Sequence, residues 1–133
     1  MSSVNKFIGA GIVFPIKIDS NGRTPIVNDI SLINTSISNI INWPKRHRFF
    51  NEAYGCRIEE LLEEPDDSVS RSLLKHFIVE SISTLEKRVE VSSSGIKLLD
   101  SVPGAINISV TYRLRSTKIE ETFIFPFYKE IKY

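Results

Sequence analysis

The period of the apolar positions changes along the chain near residue 88, from about three and a half to two. Upstream, Ile30, Ile33, Ile37, Ile40 and Ile41 fall on one helical face, so the spacing predicts a helix over 30–41. Asn28 or Asp29 can cap its start and Pro44 ends it. A short helix is predicted at about 57–63, with Ile58, Leu61 and Leu62 turned inward. Pro65, Asp66 and Asp67 read as a turn and an N-cap, followed by the longest helix, about 67–87. Its apolar stripe is Val69, Leu73, Leu74, Phe77, Ile78, Ile82 and Leu85; Arg71, Lys75 and Glu86 are placed on the opposite, solvated face.

Ahead of these helices, Ile12, Phe14, Ile16 and Ile18 alternate in "GIVFPIKID", which reads as a short strand or an extended arm. Pro15 has no N–H to give to a ladder, which favours an edge or an arm over a central strand. The cluster "DSNGRTP" at 19–25 is a turn.

Downstream, "RVEVSSSGIKLL" predicts a strand in which Gly95 marks a bulge or bend. "SVPGA" is a turn, and "INISVTYRLRS" alternates cleanly. Ile106, Ile108, Val110, Tyr112 and Leu114 face in, and Asn107, Ser109, Thr111, Arg113 and Arg115 face out. A third strand, "IEETFIFPFY", follows a tight connection. It sets Phe123, Phe125 and Phe127 on one face and Ile124 and Tyr128 on the other, so both faces are apolar. Such a strand invites pairing with another chain, restrained by Glu120, Glu121, Pro126, Lys129 and Glu130. The alternative is a second face covered by the N-terminal arm. Helices first and an antiparallel meander afterwards, about 88–128, give an α+β fold, a single domain over 1–133 with flexible ends at 1–10 and 129–133.

Composition narrows the function classes. The chain has 133 residues, 41% hydrophobic and 25% charged, with Lys plus Arg at 17 against Asp plus Glu at 16. A nucleic-acid binder usually carries a clear basic excess. The basic run Lys45, Arg46, His47 and Arg48, with Phe49, Phe50 and Tyr54 behind it, is balanced by "EELLEEPDD" at 59–67. That patch is one half of a charge-mixed surface, expected to pack its aromatics under the helices and aim its cations at neighbouring chains. A single cysteine, Cys56, cannot make an internal disulfide. The N-terminal apolar run is too short for a membrane span.

Candidate chemistry is thin. Glu59, Glu60, Glu63 and Glu64 suggest a glycosidase pair by their clustering, but they read as one solvated face. A Cys56–His47 dyad lacks a third group to orient it, and a small buried cysteine is the plainer reading. One Cys with His47 and His76 gives no spaced metal-ligand pair, and no glycine-rich phosphate loop is present. His76, beside Phe77, reads as a partly buried structural residue. No cofactor is expected.

The block Gly11-Ile-Val-Phe-Pro15, the isoleucine-rich helix, the Tyr54-Gly55-Cys56 block with Glu64-Pro65 behind it, and "LEKRVEV" before a meander together resemble a known pattern. It is that of the baseplate wedge family of contractile tails, which takes in a small phage protein often labelled lysozyme-like and TssE of type VI secretion. The chain departs from the family pattern in places. Arg46 and Glu52 stand where the family commonly has Gly and Pro, while Arg48 is kept. The family's Glu-Pro-Arg signature is Glu86-Lys87-Arg88 here, so a helix end that proline would set is expected to be less fixed.

The resemblance implies a structural, non-catalytic component of a hetero-oligomeric baseplate ring, made in the cytoplasm and built into a phage tail or injection particle. It implies docking on the helix bundle of larger wedge proteins through Glu86, Arg88 and Arg48. It also implies a meander that receives sheath strands along Phe123, Ile124, Phe125 and Phe127. Phe14, Pro15, Tyr54 and Gly55 would be structural. Glu86 and Arg88, as helix-end charges, are expected to contribute little to stability. No contact with nucleic acid or membrane is implied. Two alternatives remain: a peptidoglycan hydrolase using Glu59, Glu63 or Glu86, and a nucleic-acid adaptor through 43–57.

Overall fold

The computed structural model describes residues 8–61, 64, 65, 67–100 and 104–128. The expectations for Leu62, Glu63, Asp66, the turn residues 101–103, and Lys129 and Glu130 lie outside them, as do residues 1–7. Two helices, α1 (Ile30–Asn42) and α2 (Ser68–Leu85), with a 3-10 turn at Ile58–Leu61 between them, precede three strands. These are β1 (Val89–Asp100), β2 (Ala105–Leu114) and β3 (Glu120–Tyr128), joined as an antiparallel sheet in the order β1-β2-β3. The α+β reading therefore holds.

Each helix begins on an aspartate. Asp29 accepts from the Ser31 amide at 2.9 Å and Asp67 from the Ser70 amide at 2.8 Å, which satisfies donors that a helix start leaves orphaned. The buried face of α1 is Ile33, Ile37, Ile40 and Ile41. That of α2 is Leu74, Phe77, Ile78, Ser81 and Ile82. Val69 and Leu73, assigned to the α2 stripe, are exposed, because the covered part of the helix begins only at Leu74. His76 is also exposed, 4.0 Å from Glu80, rather than partly buried.

The helices close over Ile106, Ile108, Val110, Tyr112 and Leu114, the inward row of β2. Each such side chain, fully buried, contributes about 1.5–3 kcal/mol. Tyr112 keeps its hydroxyl satisfied by donating to Asn34 Oδ1 on α1 at 2.5 Å. In β1 the register slips between Val91 and Ile96. Gly95 is needed there, since a Cβ would lie 2.5 Å from the Thr111 carbonyl oxygen.

The N-terminal segment is an arm and not a strand. Gly11 and Val27 exchange two backbone hydrogen bonds of 2.9 and 2.8 Å, and Ile12, Phe14, Ile16 and Ile18 between them are exposed. Ile8, inside the expected loose end, is seated in the core.

Candidate docking site

The first candidate lies where α2 runs into β1. Glu86 has extended backbone, and its N–H donates to Ile82 O at 2.9 Å, closing the last helical turn. Extended backbone turns alternate side chains to opposite sides. Glu86 is 4% exposed, Lys87 is exposed and Arg88 is half-buried. The helix end is thus set without proline, two residues earlier than expected. Glu86 also leaves the solvated face assigned to it, because the chain exits the helix before its side chain could point outward.

Around the Glu86 carboxylate the partners converge. Arg88 donates from Nε to Oε1 and from Nη2 to Oε2, both at 2.7 Å, and Ser36 Oγ donates to Oε2 at 2.6 Å. The remaining arm of the guanidinium, Nη1, donates to the Ile8 carbonyl at 2.6 Å. One ion pair therefore ties α1, α2, the start of β1 and the N-terminal segment. Burial raises the Glu86 pKa, but the hydrogen bonds from Arg88 and Ser36 outweigh it and leave the carboxyl below its ordinary value. Sequence reasoning found Glu86 and Arg88 but not Ser36 or Ile8, which lie 50 and 80 positions from their partners and carry no local signal.

The second candidate is the outer edge of β3. Phe125 is buried, while Ile124 (56% exposed) and Tyr128 (67%) have no cover among the described residues, so the arm does not shield that face. The ladder phase can be counted. Leu114 N–H donates to Ile119 O at 2.9 Å, and the register runs unbroken from Arg113↔Glu120 to Ala105↔Tyr128. Bonded and non-bonded pairs alternate in an antiparallel ladder. The backbone groups of Phe123, Phe125 and Phe127 thus face β2, and those of Thr122, Ile124, Pro126 and Tyr128 face outward. Pro126 falls in the outward set, where its missing N–H removes no bond to β2.

The third candidate is the loop over 43–57. Cys56 N–H donates to Trp43 O at 2.9 Å and Arg46 N–H to Glu52 O at 3.0 Å. Gly55 (φ 121°) sits against the chain, since a Cβ would lie 2.3 Å from Trp43 O. Arg48 lies 4.2 Å over the Tyr54 ring, a cation–π contact. The expected packing of the aromatics under the helices fails for two of three. Tyr54 is half-buried, but Phe49 is 89% exposed and Phe50 fully so, because the loop's own backbone bonds close it into an outward projection. The structure brings Arg48 and Tyr54 together, and does not bring Arg48 to Glu86 or Arg88 by any hydrogen bond or ion pair among the described residues.

Two of the candidate catalytic groups, Cys56 and Glu60, have shifted pKa values. Burial pushes the Cys56 thiol pKa up, away from a nucleophilic thiolate, with a Ser81 hydrogen bond opposing it in part. Arg57 binds Glu60 through two hydrogen bonds of 3.0 and 2.8 Å and holds its carboxyl below the ordinary range. No group of three or more metal-ligating side chains occurs among the described residues, and no described helix is long and apolar enough to cross a membrane.

Residues 28–118 match the sequence profile of the family described as Baseplate wedge protein gp25. The chain belongs to the baseplate wedge family. A structural role in a baseplate follows from that membership, and with it association with other baseplate components. Arg48, Tyr54, Gly55, Glu86 and Arg88 lie inside the matched span of this wedge protein; Phe14, Pro15 and β3 lie outside it.

Solved structures share its fold. A candidate tail lysozyme from Geobacter sulfurreducens is 22% identical, with a TM-score of 0.68 over 76% of this chain and 91% of its own. A chain of the anti-feeding prophage baseplate is 14% identical, with a TM-score of 0.62 over 98% and 93%. A chain of the post-contraction pyocin R2 baseplate is 14% identical, with a TM-score of 0.55 over 86% and 99%. No curated protein sequence matches.

Proposed function

We propose that this wedge protein is a non-catalytic adaptor that docks on other baseplate proteins and offers the open edge of β3 to incoming sheath strands. The observation that carries the reading is that edge. It is unbulged over nine paired residues, presents the amides of Thr122, Ile124 and Tyr128, and has apolar side chains uncovered beside them. An exposed ladder of this kind is a template for strand addition. The opposite edge, β1, is broken by its bulge and is the poorer template. Docking on larger wedge proteins is assigned to the surface around Arg88 and to Arg48. Arg88 keeps part of its side chain in solvent while Glu86, itself held by Ser36, orients its guanidinium. Synthesis in the cytoplasm precedes incorporation into the particle.

The test is co-expression with the adjacent tail proteins and recovery on a tagged copy of this chain. Recovery of large wedge proteins, and of sheath when it is present, supports the reading. A soluble monomer that captures neither overturns it.

A second reading, cell-wall hydrolysis, draws on the lysozyme name given to the Geobacter sulfurreducens structure. A glycosidase needs a carboxyl with a raised pKa to protonate the leaving oxygen. Glu86 and Glu60 are both shifted the other way. Family membership, with these two shifts, favours the adaptor reading.

A further inference from the structure

We infer that Pro126 is a register stop, which limits a strand added to β3 to the outward rungs at Glu120, Thr122 and Ile124. This inference rests on the adaptor reading above and specifies the strand that the edge accepts.

Pro126 stands opposite Asn107 of β2, in the phase of the ladder that exchanges no backbone hydrogen bond with β2. A proline there takes nothing from the chain's own sheet, so its effect falls wholly on a strand arriving from outside. The outward backbone groups along β3 belong to Glu120, Thr122, Ile124, Pro126 and Tyr128. All but Pro126 offer both an N–H and a carbonyl. At Pro126 the ring Cδ stands where the N–H would point, so a carbonyl of the added strand meets carbon and finds no donor. A carbonyl covered without a donor costs more than one ordinary rung returns. Past Pro126, one outward N–H remains among the described residues, that of Tyr128; before it lie those of Glu120, Thr122 and Ile124. Pairing that begins at Glu120 therefore gains by running to Ile124 and loses by continuing.

The side chains of β3 describe the strand that fits. Residues directly opposite one another in a ladder share a face. Beside Phe123 and Phe125, an inward side chain of the added strand meets two rings stacked 5.9 Å apart. Beside Ile124, an outward one meets an uncovered isoleucine. The fitting strand is short, apolar on both faces, and free of proline opposite Thr122 and Ile124. β-branched and aromatic residues suit it, since they make the favourable cross-strand pairs. A second copy of β3 suits the edge poorly. The fullest antiparallel overlap of two such edges is centred on Ile124, the midpoint of Glu120–Tyr128. Each Pro126 then falls opposite Thr122 of the other copy, and a donor is lost at both places.

The test is hydrogen–deuterium exchange read at single amides, on the free chain and on baseplate particles that carry sheath. The amides of Thr122 and Ile124 should exchange fast in the free chain and slow by about tenfold or more in the particles, while Tyr128 stays fast. Pro126→Val restores an outward donor without touching the bonds to β2. That variant should stay folded, and in particles its Tyr128 amide should become protected as well. Protection of Tyr128 in the wild type, or a Tyr128 that stays fast in folded Pro126→Val, overturns the stop and leaves β3 standing as the template. No protection at any of the three amides in sheathed particles overturns both the stop and strand addition to β3. Protection of Thr122 and Ile124 in a free chain that is dimeric assigns the edge to a second copy and also overturns the inference.

Discussion

Arg88 grips the Glu86 carboxylate with two hydrogen bonds of 2.7 Å across a single exposed residue, Lys87. The pair is a joint within the chain, joined from α1 by Ser36 and from the N-terminal segment by the Ile8 carbonyl. This geometry argues against the expectation that these helix-end charges contribute little to stability. Breaking a buried, hydrogen-bonded pair strands a charge. Glu86→Ala should destabilise the chain by about 2–3 kcal/mol, below the usual range for fully buried pairs because Arg88 keeps some solvent. Arg88→Lys keeps the charge and loses the fork, and should cost less. Urea denaturation measures both; a Glu86→Ala change under about 0.5 kcal/mol, the scale of ordinary surface substitutions, would return the pair to the surface.

Acid sensitivity follows from the same carboxylate. Its folded-state pKa lies below the ordinary 4.5, so its stabilisation is present above that value and is lost as pH falls through the lowered folded-state pKa. The wild-type chain should lose stability on acidification below about pH 4.5, and Glu86→Gln should be less stable at neutral pH but flatter in that window. Parallel pH profiles for the two chains would remove Glu86 as the source.

The phase of the β3 ladder separates two neighbouring proline substitutions. Ile124→Pro removes an outward amide and leaves the bonds to β2 intact, so the free chain should stay folded while sheath growth fails. Phe125→Pro removes an inward amide beside a buried ring and should destabilise the chain itself, by about 3 kcal/mol or more. Thermal melts and sheath co-assembly distinguish them. Normal sheath on folded Ile124→Pro would rule out β3 as the template.

Gly55 is a steric requirement. A methyl group there meets the Trp43 carbonyl at 2.3 Å, and φ is 121°. Gly55→Ala should destabilise the chain by about 2 kcal/mol or more and loosen the loop that carries Phe49 and Phe50. Proteolysis between 45 and 53 should speed up; an unchanged rate would detach the loop's shape from Gly55.

Purified protein at high concentration should release no cell-wall fragments. Any turnover abolished by Glu86→Gln or Glu59→Gln in a still-folded chain would reinstate the hydrolase reading.

The sequence by itself determined the elements and the family. Periodicity placed α1, α2 and all three strands, because side-chain burial repeats every 3.6 or two residues and the isoleucines and phenylalanines record it. Aspartate caps and Gly95 marked their boundaries and the bulge, since those conformations admit few residue types. Tyr54-Gly55, Glu86 and Arg88 were legible as motif. What the tertiary structure decided is where the polar groups go. Ser36, Ile8 and Asn34 acquire their partners only when α1 and the N-terminal segment close on α2 and β2, and nothing local in the sequence encodes a contact across 50 to 80 residues. It also moved Glu86 inward, by ending α2 one residue before it. It left Phe49, Phe50, Ile124 and Tyr128 uncovered. An apolar side chain carries the same preference for burial wherever it stands, and only the folded chain shows which of them found no cover within it.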